Sequence, residues 1–283
     1  MSDKVDKQNL VYDKITLMNN LSYYVSYSRR YTYPDDPELD AIHIHDNYEI
    51  YYHISGKASF FVNNAVYSLK PGDMIITSPG DVHVYIPDDK TDAEHFCLWF
   101  DKECGRELLP FLSKDDYCGK VSFDNDDIEI LKTIFSELYN NREDTTNLRK
   151  LSGILRICLM IDEKAIAEKN DSSVIPPNIK EIVEYIDRNK TDICNMSEVA
   201  EIFNISISTL NRWFKKHVGL PPQELLNAKR ISYAKKLLDE GKSVTECSIW
   251  AGFSDCSYFI SVFKKRFGIT PYQYKKKKIG AKK

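Results

Sequence analysis

The stretch GFSDCSYFISVFKKRFGITPYQY, residues 252–274, decides the fold of the C-terminal part of this 283-residue chain. Its aromatic residues recur at a helical spacing that ends at Gly268, and a proline follows shortly afterwards, which is a helix stop signal. The pattern occurs twice, because Phe214–Gly219 repeats the spacing of Phe263–Gly268. The chain therefore contains an internal repeat, and the repeat unit determines the fold of this part.

Each copy is predicted to form a short helix, a turn and a second helix, which together make a helix-turn-helix unit. The first unit spans residues 196–222 and the second spans 244–271. Ser206 and Ser254 stand in the turns, where a serine side chain can cap the helix that follows. In such a unit the second helix enters the major groove of DNA and reads base edges. These recognition helices are predicted at Ile207–His217 and Asp255–Phe267.

The exposed side chains of the two recognition helices are the candidate DNA contacts. Asn and Arg bind adenine and guanine with two hydrogen bonds, so Asn211 and Arg212 are the expected base readers. The second helix is poor in charge near its start and is expected to read bases less strongly. The lysines near the helix ends could contact phosphate or only complement the helix dipole. The predicted contacts are Ser208, Thr209, Asn211, Arg212, Lys215 and Lys216 in the first helix and Cys256, Ser257, Ser261, Lys264 and Lys265 in the second.

The charge of the chain is divided unevenly between its two parts. Residues 176–283 contain 20 Lys and Arg against 11 Asp and Glu, which gives +9. Residues 1–175 contain 19 Lys and Arg against 31 Asp and Glu, which gives −12. A basic C-terminal part beside an acidic remainder indicates a polyanion-binding module attached to a domain of another kind.

The quoted stretch resembles the C-terminal signature of the AraC/XylS family of transcription regulators, and the resemblance covers about residues 178–275. It includes Arg230, Ala234 and Leu238 of the helix that joins the two units. The resemblance implies a seven-helix domain whose recognition helices enter successive major grooves of promoter DNA. It also implies contact with RNA polymerase and activation as the usual mode. Members often carry Arg at the position of Ser261, and this departure weakens the case for base reading by the second helix.

The residues from 42 to about 100 are predicted to form short strands. Runs rich in Ile, Tyr, Phe and Val are separated by turns such as KPGD and SPGD, the pattern of a small barrel or sandwich. From Asp124 the period becomes helical. A second helix is predicted over about 145–168, and its wide apolar stripe suits either core packing or a homodimer. The Tyr-rich segment from Tyr23 to Tyr33 could fold over the barrel as a lid.

The N-terminal part resembles the cupin sensor of many AraC-type regulators. The resemblance rests on the spacing His43-x-His45-x3-Glu49, on Gly56, and on KPGDMIITSPGDVH, which ends at His83. In metal-binding cupins these two His and a Glu, with the later His, bind one metal ion, whereas in regulatory cupins they can contact an organic ligand or each other. We expect an organic effector and no resident metal. The predicted ligand contacts are His43, His45, Glu49, Tyr51, His83 and Trp99; the metal alternative uses His43, His45, Glu49 and His83.

The predicted fold is an α+β multidomain protein. A cupin-like β-barrel (1–123) with a helical dimerisation segment of its own (124–169) is followed by a polar, Pro-rich linker (170–178) that separates two cores. An all-α domain with two helix-turn-helix units (179–283) completes the chain.

The predicted function is that of a cytoplasmic, homodimeric transcription regulator that responds to a small polar effector, such as a sugar. The protein is not expected to be an enzyme. The seven Cys lack C-x-x-C spacing, which favours a reducing compartment, and neither a signal peptide nor a membrane span is predicted. Two alternatives stay open, namely a metal-dependent cupin enzyme and a DNA-binding protein whose sensor no longer responds to a ligand.

Overall fold

The structure is a computed structural model, and it describes residues 10–15, 21–30, 42–62, 64–87, 93–108, 119–140, 147–167 and 173–281. The N-terminal domain consists of two antiparallel sheets. One has six strands in the order β1-β2-β8-β3-β6-β9, and the other has three in the order β5-β4-β7. The strands are β1 (Leu10–Ile15), β2 (Leu21–Arg30), β3 (Tyr48–Ser55), β4 (Ala58–Val62), β5 (Ala65–Leu69), β6 (Asp73–Thr77), β7 (His83–Pro87), β8 (Ala93–Phe100) and β9 (Lys120–Ser122).

The strand register decides which side chains face the space between the sheets. Strands β3 and β8 pair so that Glu49 lies opposite Trp99 and Tyr51 lies opposite Cys97. Directly paired residues share a face, so these four side chains lie on the same side of the large sheet. The alternate residues, such as Leu98, face the other side and belong to a core shared with two helices.

Three helices accompany the sheets: α1 (Lys102–Leu108), α2 (Asn125–Asn140) and α3 (Asn147–Ala167). The predicted apolar stripe of α2 is confirmed, since Leu131, Phe135 and Leu138 are buried. Helix α3 buries one face against the large sheet, as expected for an amphipathic helix. It leaves Leu148 and Leu159 largely exposed on another face.

The lid predicted for Tyr23–Tyr33 is wrong for the part that the structure describes. Residues 21–30 form β2, which lies between β1 and β8 in the large sheet. Tyr23 and Val25 are fully buried there, because alternate side chains of this strand point into the core. The remaining residues of the segment, 31–33, lie outside the described ranges.

The C-terminal domain has seven helices, as the family resemblance implies: α4 (Pro177–Arg188), α5 (Met196–Ile202), α6 (Ile207–His217), α7 (Pro222–Asp239), α8 (Val244–Trp250), α9 (Cys256–Phe267) and α10 (Pro271–Ala281). Ser206 caps α6 as predicted, since its side chain accepts a hydrogen bond from the Thr209 amide. Ser254 does not cap α9. That role belongs to Asp255, whose carboxylate accepts the Tyr258 amide at 2.6 Å. Gly268 ends α9 in the left-handed conformation that glycine adopts without strain.

The expectation that a linker keeps two cores apart is also wrong. The sensor residues Ile42, Ile44, Val82 and Val84 belong to one hydrophobic cluster with the C-terminal helices. Within the predicted linker, the Val174 amide donates to the Val66 carbonyl at 2.8 Å, and α4 already begins at Pro177. A polar, Pro-rich composition therefore did not exclude packing, because backbone groups and a few apolar residues provide the contacts. Among the described helices, none combines the length and apolar character that crossing a membrane requires.

Candidate functional site

A cavity of about 230 Å³ lies between the two sheets of the N-terminal domain. Strands β3 and β8 of the large sheet and strands β4 and β7 of the small sheet contribute most of its wall. All six predicted ligand contacts reach this cavity. Its lining residues are Ser26, His43, His45, Glu49, Tyr51, Phe60, His83, Tyr85, His95, Cys97 and Trp99.

Glu49 is the charged centre of this cavity. Its Oε2 accepts a hydrogen bond from His45 Nε2 at 2.8 Å, and His83 Nε2 lies 3.1 Å from the same oxygen. Burial alone would raise the pKa of Glu49, but the hydrogen bonds from His45 and His83 outweigh it and hold the pKa well below its usual range. Glu49 is therefore a buried carboxylate with two imidazole partners.

His45 is the counter-ion of Glu49. Burial would lower the pKa of His45, but the hydrogen bond with Glu49 outweighs that effect and raises it. The second ring nitrogen, Nδ1, lies 3.0 Å from the carbonyl oxygen of Asn47. Because both ring nitrogens face acceptors, the surroundings favour the doubly protonated form of the ring.

His43 differs from His45 although the two residues are close in sequence. Desolvation, reinforced by the neighbouring His83, lowers the pKa of His43 from 6.5 to about 4. At neutral pH it is an uncharged imidazole with one donor and one acceptor. The cavity therefore offers a carboxylate, its hydrogen-bonded imidazole partner and a neutral imidazole side by side.

The opposite part of the wall is aromatic. The Phe60 ring stacks on His83 at a centroid distance of 5.9 Å, and the Tyr51 ring lies 4.6 Å from His95. Burial raises the pKa of the Tyr51 hydroxyl and of the Cys97 thiol, so both stay neutral. Trp99 is only partly buried and completes this side of the cavity.

Sequence reasoning missed Ser26, Phe60 and Tyr85 as cavity residues. The signal that could have found Phe60 and Tyr85 is the pairing of β4 with β7, which places them directly opposite each other. Ser26 was missed because β2 itself was not predicted. His53 shares the alternation of Glu49 and Tyr51, but it is not among the lining residues, and its ring bonds the Gly56 carbonyl.

Three of the four residues of the metal alternative are suitably placed for a cation. The ligand atoms of His45, Glu49 and His83 lie within 4.8 Å of one another, and His43 is not part of that group. Imidazole and carboxylate donors suit divalent transition metals. The same three groups also satisfy one another as a hydrogen-bonded network, so their geometry is compatible with either role.

The first recognition helix, α6, is built as predicted. Leu210 and Phe214 are fully buried, and Trp213 is half-buried. The opposite face carries the candidate DNA contacts, and these side chains face solvent. Ser208, Asn211, Arg212, Lys215 and Lys216 are exposed, and Thr209 is half-buried.

The second recognition helix, α9, has a similar arrangement but fewer charges near its start. Phe259 and Phe263 are fully buried, whereas Ser257, Ser261, Lys264 and Lys265 are exposed and Cys256 is half-buried. Tyr258 was not predicted as part of this surface. It is 47% exposed, and its hydroxyl accepts a hydrogen bond from Asn227 of α7 at 2.8 Å.

Two exposed recognition helices on one all-α domain, joined to a β domain with a polar cavity, define a DNA-binding protein with an attached sensor. Two family models match the chain in that order. One is described as an AraC-like ligand binding domain and covers residues 29–136, and the other is a helix-turn-helix domain that covers 199–277. The chain belongs to the AraC family of transcription regulators.

Similar proteins are found among both sequences and structures. The transcriptional activator RhaS of Escherichia coli strain SMS-3-5 is 25% identical over 244 residues, which cover 81% of this chain and 85% of RhaS. RhaS of Enterobacter sp. strain 638 is 22% identical over the same shares. Among solved structures, an apo ToxT variant from Vibrio cholerae is 17% identical, covers 89% of this chain and 96% of its own, and has a TM-score of 0.41. The C-terminal domain of the response regulator yesN from Fusobacterium nucleatum is 39% identical, covers 35% of this chain and 98% of its own, and has a TM-score of 0.33.

Proposed function

We propose that this protein is a cytoplasmic transcription activator whose promoter binding responds to a small polar effector in the sensor cavity. The observation that carries the proposal is the pairing of two features in one chain. The reading faces of both recognition helices are open to solvent, and the sensor holds a cavity in which ionisable groups stand beside an aromatic wall. Activation is proposed by analogy with RhaS, which is named a transcriptional activator.

The proposed DNA contacts divide into base readers and phosphate contacts. Asn211 and Arg212 of α6 read base edges, because their side chains can each form two hydrogen bonds to one base. Lys215, Lys216, Lys264 and Lys265 neutralise phosphates, and Ser208, Thr209, Ser257 and Ser261 bond the backbone or base edges. Cys256 lies at the start of α9, where its small side chain lets the groove approach closely. Helix α9 contributes less discrimination than α6, since Ser261 stands at the position equivalent to Arg212.

The effector is proposed to be small, rich in hydroxyl groups and without a large net charge. The cavity of about 230 Å³ is below the usual range for drug-sized ligands, which favours a single sugar ring or a similar polyol. Glu49 is already bonded by His45 and His83, so a strongly charged ligand would leave a charge uncompensated in the cavity. The Trp99 ring provides a flat apolar surface beside polar groups, an arrangement that suits a sugar.

The proposed active form is a homodimer that contacts RNA polymerase at the promoter. Helix α3 supplies the dimer interface, since Leu148 and Leu159 are 69% and 62% exposed. Two large leucines exposed on one helix are consistent with a second copy covering them. The polymerase contact follows from activation as the family's usual mode.

The first test is a ligand screen on the full chain by thermal unfolding. Sugars and polyols are added at millimolar concentration, and a binder is expected to raise the midpoint because it binds only the folded state. At 100 times its Kd, the gain is about 2.7 kcal/mol. His45→Ala and Glu49→Ala should lose the gain, and Lys70→Ala, an exposed sensor residue, should keep it. No gain with any compound of this class would contradict the proposed effector.

The second test distinguishes a regulator from a metal-dependent enzyme. The enzyme is kept as the alternative because His45, Glu49 and His83 lie close enough together to hold a metal ion. The purified protein is analysed for metal content and is used to select duplexes from random DNA. A regulator is expected to enrich one sequence motif and to retain far less than one metal per chain. Stoichiometric metal that both alanine variants lose, together with no enriched motif, would favour the enzyme.

A further inference from the structure

The segment Ile42–Asp46, here called the bridging segment, lies between the cavity and the DNA-binding domain. His43 forms an isolated antiparallel bridge with His83, and Asp46 lies in a bend. The side chains of the segment alternate between the two sides. His43 and His45 line the cavity, whereas Ile42 and Ile44 belong to the hydrophobic cluster of the C-terminal helices. One short piece of backbone therefore forms part of two different environments.

On the cavity side, hydrogen bonds to His83 and Glu49 hold the bridging segment. The His43 amide donates to the His83 carbonyl at 2.7 Å, and the His83 amide donates back at 3.2 Å. His45 donates to Glu49 at 2.8 Å through its side chain. The cavity side is thus held both through the backbone, at His43, and through a side chain, at His45.

The other side is held by α9 of the second helix-turn-helix unit and by α7 and α10, the helices before and after that unit. Arg266, at the end of α9, donates a hydrogen bond to the Ile42 carbonyl. Lys235 of α7 forms an ion pair with Asp46, and the Tyr274 hydroxyl of α10, which donates to Asp239 at 2.8 Å, lies 3.4 Å from the Asp46 carboxylate. The Lys235 side chain is only 8% exposed, and its ammonium group lies 5.5 Å from the centroid of the Tyr274 ring. The polar contacts of the bridging segment with the C-terminal domain thus go to α7, α9 and α10.

A second connection runs through the turn after β6. The Gly80 amide donates to the His45 carbonyl at 2.9 Å, and the Gly80 carbonyl accepts from the Ser232 hydroxyl of α7 at 2.8 Å. His45 is therefore connected to α7 by two hydrogen bonds in series. The cavity imidazole and the joining helix share this turn as well as the bridging segment.

We propose that the bridging segment couples the sensor cavity to the second helix-turn-helix unit, so that displacement of His43 or His45 changes how α7 and α9 are held. The biological meaning of the coupling rests on the proposed function, because an effector would be the natural cause of that displacement. The physical argument is that contacts hold these five residues on both sides, so a backbone rearrangement at His43 or His45 also shifts Ile42, Ile44 and Asp46. Coupling of this kind requires two sites and a shared structural element whose conformation both sites influence.

The coupling is tested by hydrogen exchange of the full chain, measured by mass spectrometry without effector and without DNA. Lys235→Met removes the ion pair with Asp46 but keeps the apolar stem of the side chain. It is expected to increase exchange of peptides covering 42–46 roughly fivefold, which corresponds to about 1 kcal/mol in the free energy of local opening. Lys236→Met is the matched control, since Lys236 is the next residue and is exposed.

The reverse direction uses a change in the cavity and a reading in the DNA-binding domain. Glu49→Gln is expected to increase exchange in peptides covering 263–268, the end of α9, and not in peptides from α5. Arg266→Gln provides a second variant for the first direction if Lys235→Met does not fold. Exchange equal to that of the control in both directions would overturn the proposal. Because neither effector nor DNA is present, this result is independent of whether the proposed effector class or activation is correct.

Discussion

Glu49 is the single residue on which the electrostatics of the sensor cavity depend. A buried carboxylate without partners is strongly destabilising, and Glu49 is stable as an anion because His45 and His83 share one of its oxygens. The same oxygen explains why two histidines close in sequence titrate differently. His45 bonds Glu49 and gains a raised pKa, whereas desolvation lowers that of His43 to about 4.

Glu49→Gln is expected to reverse the direction of the His45 pKa shift. Without the carboxylate, only the burial of His45 remains strong, and burial disfavours the charged ring. NMR titration of the histidine ring signals should place the His45 pKa above 6.5 in the wild type and below 6.5 in the variant. A value above 6.5 in both proteins would show that Glu49 is not the cause.

The loss of stability caused by Glu49→Gln is expected to depend on pH. The folded-state pKa of His45 is raised, so its contribution is full below the unfolded value of 6.5 and is lost as pH rises through the folded value. The pKa of Glu49 is lowered, so its contribution is present above 4.5 and is lost as pH falls. The stability difference between wild type and Glu49→Gln should therefore be greatest between pH 4.5 and 6.5, at about 1–3 kcal/mol in chemical denaturation.

Arg212→Ala is expected to weaken specific DNA binding by about 1–3 kcal/mol, the range for a base contact with two hydrogen bonds. Its position on the exposed face of α6 motivates this expectation. Mobility shifts with a selected duplex and a scrambled duplex give the measurement, and Arg188→Ala on α4 is the control. Equal losses on both duplexes would assign Arg212 to phosphate instead.

Individual site residues were predictable where a local pattern identifies them. His43, His45, Glu49 and His83 were identified through the resemblance to cupin sensors, and Leu210 and Phe214 through the helical period. The carboxylate with two imidazole partners was not predictable as a geometry, because His83 reaches Glu49 only through the packing of two sheets. Asp255 was missed as a cap since Ser254 satisfies the same local rule one residue earlier.

Helix α3 has one apolar face that is buried in its own domain and a second one that is exposed. Leu151, Ile154 and Ile161 face the core of their own domain, whereas Leu148 and Leu159 stand on the exposed side. The positions 148, 152, 155 and 159 follow a helical stripe, so these two leucines share one face with the partly buried Leu155. A substitution at Leu151 would disturb the fold and would not report on a dimer.

Leu148→Glu combined with Leu159→Glu is expected to convert the full chain from dimer to monomer without loss of folding. Charges at exposed positions cost little in a monomer but are unfavourable between two helices that bury them. Sedimentation at about 10 µM, where an association of about 7 kcal/mol is half formed, gives the measurement. Lys132→Glu on α2 is the control, and a wild type that sediments as a monomer would remove α3 as the dimer interface.

The elements themselves were predictable to different degrees. The bounds of α6 were predicted to the residue, and β3 to β8 match the predicted runs, because helical periodicity, β-favouring residues and turn residues define these elements. Strands β1, β2 and β9 were missed. They lie outside the series of runs and turns between residue 42 and about 100, so only pairing with a neighbour identifies them.

The two domains of the molecule pack together more closely than the sequence suggests. The division into −12 and +9 indicates two domains, but it does not reveal that Asp46 and Lys235 meet. Contacts between residues so distant in sequence produce no periodic sequence pattern, because they depend on how the surfaces of the two folded domains pack together. The interface combines a shared apolar cluster with ion pairs, and Lys229 of α7 also bonds Asn64 of the sensor at 3.0 Å.

Thermal unfolding of the full chain is expected to show one calorimetric transition, because the apolar cluster spans both domains. Ile44→Asp places an unpaired carboxylate in that cluster, which costs on the order of 3 kcal/mol or more. Two separate transitions are then expected, one for each domain. Lys57→Asp, an exposed change in the sensor, should keep the single transition, and two transitions in the wild type would contradict the shared core.

The buried cations of α7 limit how this protein can be reused in engineered biosensors. Chimeras are commonly joined at a linker, which in this chain would mean a cut within residues 173–176. Such a cut would leave Asp46 and Asn64 on the sensor without Lys235 and Lys229. A foreign DNA-binding module would therefore need lysines at the two corresponding positions of its joining helix before it could be expected to respond to this sensor.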